Sequence, residues 1–239
     1  MRTMLVTGAS SGIGRAVAEL ALNRGWQVGL LARRADVLAE IAAGREAALA
    51  LPADVTDPAA IAGAIDEMVA RWGQIDVLFN NAGIFTPQGA IDEIDPEDWT
   101  KSVAVNLTGM FTVARAAFSQ MRSQGGGRII NNGSISATTP REGSVCYTAT
   151  KHGVTGMTKA LALDGRSLGI SVGQIDIGNA ETPMVARMKA RAAAEGGTIE
   201  TMDVTDAARS VLHMAELPPE TTVLFHTIMA TRMPFVGRG

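Results

Sequence analysis

The chain has 239 residues, 46% of them hydrophobic, with 21 basic against 24 acidic side chains and a formal net charge of −3. That composition is of a folded globular protein, long enough for one large core or two modest ones, and its balanced charge argues against nucleic-acid and polybasic membrane partners. One cysteine, Cys146, excludes an internal disulfide and fits a reducing compartment, and the scattered His152, His213 and His226 form no metal-ligand cluster.

The chain opens on a predicted buried strand, residues 4–7. No separate basic region, apolar block and cleavage site precede it, and no apolar run reaches membrane-spanning length, so a cytoplasmic location is expected. Next come Gly8, Gly12 and Gly14, with Ser10 and Ser11 among them. Residues 12–24 then read as a helix, with Ile13, Val17, Leu20 and Ala21 near one face and Gly25 closing it. Glycines let backbone turn sharply and let a ligand approach, and a helix N-terminus offers free N–H groups and partial positive charge. Together they suit a phosphate. The same residues also suit a plain tight turn, and the spacing Gly-x-x-x-Gly-x-Gly differs from the usual dinucleotide fingerprint.

A second strand is predicted at 26–32, a short helix at 35–43 and a weak strand at 46–51. A loop and helix follow over 53–73, with Asp57 as cap and Pro58 at the first helical position. The remaining strands are predicted within 75–83, 126–134, 170–175 and 222–228. Long helices are predicted at 99–122, weakened in its middle by Gly109, and at 147–168, with helix-prone stretches at 183–195 and 206–215. Short apolar strands alternating with helices imply right-handed βαβ units and a parallel sheet covered on both sides. The expectation is one doubly wound α/β domain over residues 1–239, with an irregular excursion near 178–202. Ligands of such sheets bind beyond the carboxyl ends of the strands. The glycine turn, Asn80 to Gly83, Ser134 and the Gly178 region all fall there.

Tyr147, the only tyrosine, and Lys151 stand four residues apart in a predicted helix and so share a face. An ammonium beside a phenol favours the phenolate and makes it a usable acid–base at neutral pH. The alternative is an ordinary half-buried tyrosine next to a solvated lysine. Ser134 follows a predicted strand, where serines often only cap turns. Asn106 stands inside an apolar helical stretch, where its propensity is unfavourable and a hydrogen bond must explain it.

Taken together and in this order, these motifs resemble the classical short-chain dehydrogenase/reductase family, over essentially the whole chain. Its cofactor turn is matched by Thr7, Gly8, Gly12 and Gly14, enclosing Ser10, Ser11 and Ile13; its adenine-side pair by Asp54 and Val55; its Asn-Asn-Ala-Gly motif by Asn80, Asn81, Ala82 and Gly83; its catalytic tetrad by Asn106, Ser134, Tyr147 and Lys151. The resemblance implies a single Rossmann-type domain with a seven-stranded, predominantly parallel sheet. It implies hydride transfer between NADP(H) or NAD(H) and a carbonyl or alcohol, with Tyr147 moving the proton, Lys151 lowering its pKa and holding the nicotinamide ribose, Ser134 bonding the reacting oxygen and Asn106 placing a relay water. Gly178 and Thr182 keep the spacing of the family's motif after the sixth strand, where Ile177 replaces proline, an exchange expected to loosen the loop.

At the end of the second strand Ala32 stands where NAD-preferring sites carry an acid, followed by Arg33 and Arg34. Guanidinium groups suit a ribose phosphate, so NADP is expected, with Arg33 as main contact, Arg34 as helper and Asp36 as a complication. Residues 183–202 are expected to form a substrate loop with Met184, Val185 and Met188 as its apolar wall. By resemblance the protein is a homotetramer or homodimer. The competing readings are an epimerase or dehydratase of the same fold and a dinucleotide-binding or sensing protein without turnover.

Overall fold

The structure, a computed structural model, describes residues 1–194 and 196–236. Seven strands form one sheet: β1 (Thr3–Thr7), β2 (Gln27–Ala32), β3 (Ala48–Pro52), β4 (Val77–Asn80), β5 (Gly127–Asn132), β6 (Ile170–Ile177) and β7 (Phe225–Ile228). Their order is β3-β2-β1-β4-β5-β6-β7 and every pairing is parallel. Between them run α1 (Gly12–Asn23), α2 (Ala35–Ala42), α3 (Pro58–Trp72), α4 (Pro96–Val103), α5 (Met110–Gln124), α6 (Val145–Gly165), α7 (Pro183–Ala194) and α8 (Val204–Glu216). The single Rossmann-type sheet expected from the sequence is therefore present.

Two apolar layers bury the two faces of the sheet. Successive strand residues point to opposite sides. Thus Met4, Val6, Val28, Val77 and Phe79 join α1, α2 and α8 in one core, while Leu5, Leu31, Leu78 and Ile129 join α3 and α5 in the other. The central strands read as near-continuous apolar runs because neither of their faces meets water, whereas β7 at the edge stays partly exposed. Asp57 starts α3 by accepting from the Ala59 and Ala60 amides, with Pro58 behind it, and Gly73 ends it at φ 83°. β1 and β4 are neighbours at the centre, where the strand order reverses, so a crevice opens beyond their carboxyl ends.

The structure departs from the sequence expectation in four places. The helix expected at 99–122 starts at Pro96 behind the Asp95 cap, passes through a π turn at Ala104–Gly109 and resumes as α5. Gly109, at its end, leaves room for Val55: a Cβ there would lie 2.7 Å from Val55 Cγ2. The Tyr147 helix begins earlier, at Val145, which puts Tyr147 in its first turn. β6 runs on to Ile177, which is buried and paired with Ile228, so the residue expected to loosen the loop extends the strand instead. Finally, β7 begins only at Phe225. The stretch 183–202 is α7 followed by a return that pairs Met202 with Ala180. Glu195 in it lies outside the described residues.

α1 packs on β1 without space for a side chain at Gly14. A Cβ there would collide with the Gly8 carbonyl and lie 2.7 Å from Nδ2 of Asn81. Gly14→Ala is expected to lower stability by about 1–3 kcal/mol, measured as a lower urea midpoint. An unchanged midpoint would contradict this packing.

Candidate active site

The crevice is built on one hydroxyl. Thr7 Oγ1, at the end of β1, accepts from the amides of Asn81 (2.7 Å) and Ala82 (2.9 Å) just past β4. Asn81 Nδ2 donates back to the Thr7 carbonyl at 2.9 Å, and Asn132 Nδ2 donates to Asn81 Oδ1 at 2.8 Å. Three strand ends are thereby fixed side by side. Gly8 and Gly12 take φ values of 69° and 55°, in the left-handed region that glycine permits. Ser11 precedes α1 without capping it, so the first-turn amides of Ile13 and Gly14 face the crevice end of the helix without a side-chain acceptor. Thr182 overhangs this turn, its methyl 3.2 Å from where a Gly12 Cβ would sit, while its hydroxyl accepts from Val185 N at 3.2 Å. An uncapped helix N-terminus behind small residues fits a dinucleotide's diphosphate.

Beside the turn, Arg34 folds onto Ser10: Nη2 donates to the Ser10 carbonyl and hydroxyl, both at 3.0 Å. Arg33, its side chain 70% exposed, extends toward Asp54 at 3.8 Å. The Thr56 amide and hydroxyl, with Arg33, hold the Asp54 carboxyl below its ordinary pKa. Val55 is buried against Gly109. Asn80, expected at the cofactor, is fully buried and turns its side chain inward, donating to Met110 O (2.8 Å) and Asn131 Oδ1 (3.1 Å). Its side chain braces β4 against β5 and α5. Gly178 packs so tightly that a Cβ would lie 2.6 Å from that of Met229.

The four tetrad residues come from three places: the π turn, the turn after β5, and α6. Asn106 lies in the π turn, a distortion that recurs at functional sites. Its Oδ1 accepts from Ile84 N at 2.7 Å and its Nδ2 donates to Ile84 O at 2.9 Å, so it grips the chain just after Gly83. Ser134 caps the 3-10 turn Ile135–Ala137, which packs on α6. Tyr147 stands in the first turn of α6, its ring 4.7 Å from that of Phe85. Lys151, one turn on, is only 3% exposed; its Nζ donates to Asn132 O at 2.8 Å and lies 5.4 Å from the Tyr147 ring centroid. A cavity of about 860 Å³ opens at the opposite, amino end of the strands among Arg2, Asp76, Arg128 and Ser171, and contains none of the expected site residues.

Residues 2–193 match the sequence profile of the family described as short chain dehydrogenase. The chain belongs to the short-chain dehydrogenase family. It is 38% identical over 194 residues to cis-4-hydroxycyclohexanecarboxylate dehydrogenase of Sinomonas cyclohexanicum, covering 79% of this chain and 77% of that one. Among solved structures, the 3-ketoacyl-(acyl-carrier-protein) reductase of Brucella melitensis complexed with NADH aligns with a TM-score of 0.86 at 28% identity, covering 95% of this chain and 96% of that one. ElxO with NADP bound aligns at 0.85 and 25% identity, covering 95% and 96%. This short-chain dehydrogenase is thus an NAD(P)-dependent oxidoreductase of the family's type.

Two residues of the dehydrogenase site escape the sequence motifs. Asp176 Oδ1 accepts from the Ser134 amide and from Gln174 Nε2, both at 2.8 Å. The signal was present: two polar residues, Gln174 and Asp176, two apart within an apolar strand, hence on one face. Burial pushes the Asp176 carboxyl above its ordinary pKa, against the opposing pull of Gln174, the Ser134 amide and Lys151. A carboxyl whose folded pKa is raised favours folding while protonated, below its unfolded pKa, and loses that contribution as pH rises through the folded value. The melting temperature of Asp176→Asn relative to the unsubstituted protein should therefore rise as pH is raised from about 4 to 7. A difference independent of pH would contradict the buried, ionising carboxylate.

Proposed function

We propose that this short-chain dehydrogenase works in the reductive direction on a small carbonyl compound with an apolar body, preferring NADPH to NADH. The observation that carries the reading is the buried Lys151 ammonium one helical turn from Tyr147 and bonded to Asn132, two residues before Ser134. When bound, the nicotinamide supplies the hydride. The chain supplies the rest. Tyr147 gives its hydroxyl proton to the carbonyl oxygen as that oxygen gains charge. Lys151 stabilises the phenolate left behind. Ser134 donates its hydroxyl to the same oxygen and orients it. Asn106 acts by gripping Ile84, which keeps Ala82 and Gly83 at the crevice edge. The Ser11, Gly12, Ile13 and Gly14 backbone and Thr182 hold the diphosphate end.

The apolar character of the substrate is supported by Phe85 stacked on Tyr147 and by the half-buried Met184, Val185 and Met188 of α7. NADP preference is supported by Ala32 in place of an acid and by two guanidinium groups at the rim. Arg34 is the better placed, since it already rests on the glycine turn through Ser10. Exposed Phe111 on α5 and Leu163 on α6 give apolar faces for pairing with a second copy in a homodimer or homotetramer.

The test is a spectrophotometric screen of NADPH and NADH oxidation against diverse ketones and aldehydes. Tyr147→Phe should lower turnover about a thousandfold while leaving cofactor affinity nearly unchanged; retained turnover would remove Tyr147 as proton donor. Arg34→Ala should weaken NADPH about tenfold or more with little effect on NADH, measured by fluorescence titration. Equal losses for the two cofactors would contradict a phosphate contact.

A further inference from the structure

Beneath the proposed site lies a carboxylate that the proton and hydride steps do not use. Asp176 is 5% exposed, at the carboxyl end of a strand buried along its whole length. Such a charge persists in an interior only where hydrogen bonds and an opposite charge support it. Its Oδ1 holds the Ser134 amide and Gln174 Nε2. Gln174 is itself pinned to α6, donating to Thr155 Oγ1 at 3.0 Å and accepting from Thr158 Oγ1 at 3.2 Å. The fit leaves no slack: a Cβ on Gly133 would collide with Asp176 Oδ1 and lie 2.6 Å from Gln174 Nε2.

The same turn is held from its other end by Lys151, which donates to Asn132 O. Residues 132 to 134 are therefore clamped between a cation on the first carbonyl and an anion on the last amide. The ionisable groups facing this turn are Tyr147 and Lys151 from α6 and Asp176 from β6. Among the described residues, the other groups bonded to or paired with them are uncharged: Asn132 and Ser134 from β5 and its turn, Gln174 from β6, and Thr227 of β7, which pairs with Asp176. His226 of β7 pairs with Ile175 and by strand alternation belongs to the other face.

We infer that Asp176 is a positioning residue for the proposed reduction: it fixes the Ser134 backbone and serves as the buried counter-charge that keeps Lys151 an ammonium. The inference rests on the reductive reading above. A buried ammonium without its counter-charge gives up its proton more readily. Removing the Asp176 charge makes the Tyr147–Lys151 pair lose its first proton at lower pH, whichever residue releases it. Reduction needs both protons in place, so its alkaline limb moves toward acid. Loss of the acceptor, by contrast, acts through Ser134 alone.

The experiment compares the unsubstituted protein with Asp176→Asn, Asp176→Ala, Ser134→Ala and the Asp176→Ala/Ser134→Ala pair. Each is assayed with saturating NADPH and the ketone or aldehyde that the unsubstituted protein reduces fastest. Asp176→Asn preserves shape and acceptor and should shift the alkaline limb of kcat by about one pH unit toward acid. At a pH below the alkaline limb, Asp176→Ala should lower kcat about tenfold and add nothing when Ser134 is already alanine. A limb that stays in place in Asp176→Asn overturns the counter-charge, and additive losses in the pair overturn the action through Ser134. Asp176→Asn decides the charge even where Asp176→Ala does not fold. An unsubstituted protein that reduces no carbonyl overturns the reductive reading and this inference with it; an active one with an unmoved limb overturns this inference alone.

Discussion

A nearly buried lysine ammonium has to be satisfied by something, and here it is satisfied by the carbonyl of Asn132 at the end of β5. That contact requires α6 to lie against the β5 end and Lys151 to face the sheet. With Lys151 so placed, helical geometry brings Tyr147 to the same side, one turn nearer the mouth. The Ser134 turn follows Asn132 by two residues and so arrives at the same place. One buried polar contact thus brings Lys151 and Tyr147 against the end of β5, beside the Ser134 turn.

The scaffold makes that contact affordable. The central strands are apolar and covered on both faces, and polar groups gather at their carboxyl ends. There most find a partner in another element: Thr7 with Asn81 and Ala82, Asn106 with Ile84, Asp176 with Ser134. A hydrogen-bonded polar layer of this kind sits between an apolar core and the crevice, and it holds geometry because leaving any member unpaired is expensive. Asp176 is the member whose ionised form the fold supports least readily. Such a local burden on stability is a common mark of residues retained for activity.

Much of this was legible in the residues themselves. The alternation of apolar strands with helices led to the parallel sheet, and Gly8, Gly12 and Gly14 marked the turn between β1 and α1. Local patterns did not show where side chains would point. Asn80 belongs to a motif at the crevice, yet its side chain faces the interior because Met110 and Asn131 supply partners there. The order of residues after β2 favours Arg33 over Arg34 as the phosphate contact, whereas the tertiary approach of Ser10 holds Arg34 on the glycine turn. The π turn around Asn106 has no local signature in the residues, and the close approach of Val55 to Gly109 is a contact between distant parts of the chain. Ile177 was read against a missing proline, whereas its pairing with Ile228 depends on β7, which lies far along the chain.

In the proposed reaction, hydride reaches the substrate carbon directly at the crevice where Tyr147 stands. Its most direct test is reduction of a ketone by NADPH carrying deuterium at both nicotinamide C4 positions, in ordinary water, with the product read by mass spectrometry. The account predicts one deuterium on the carbinol carbon of every alcohol molecule formed. Alcohol without deuterium would contradict it.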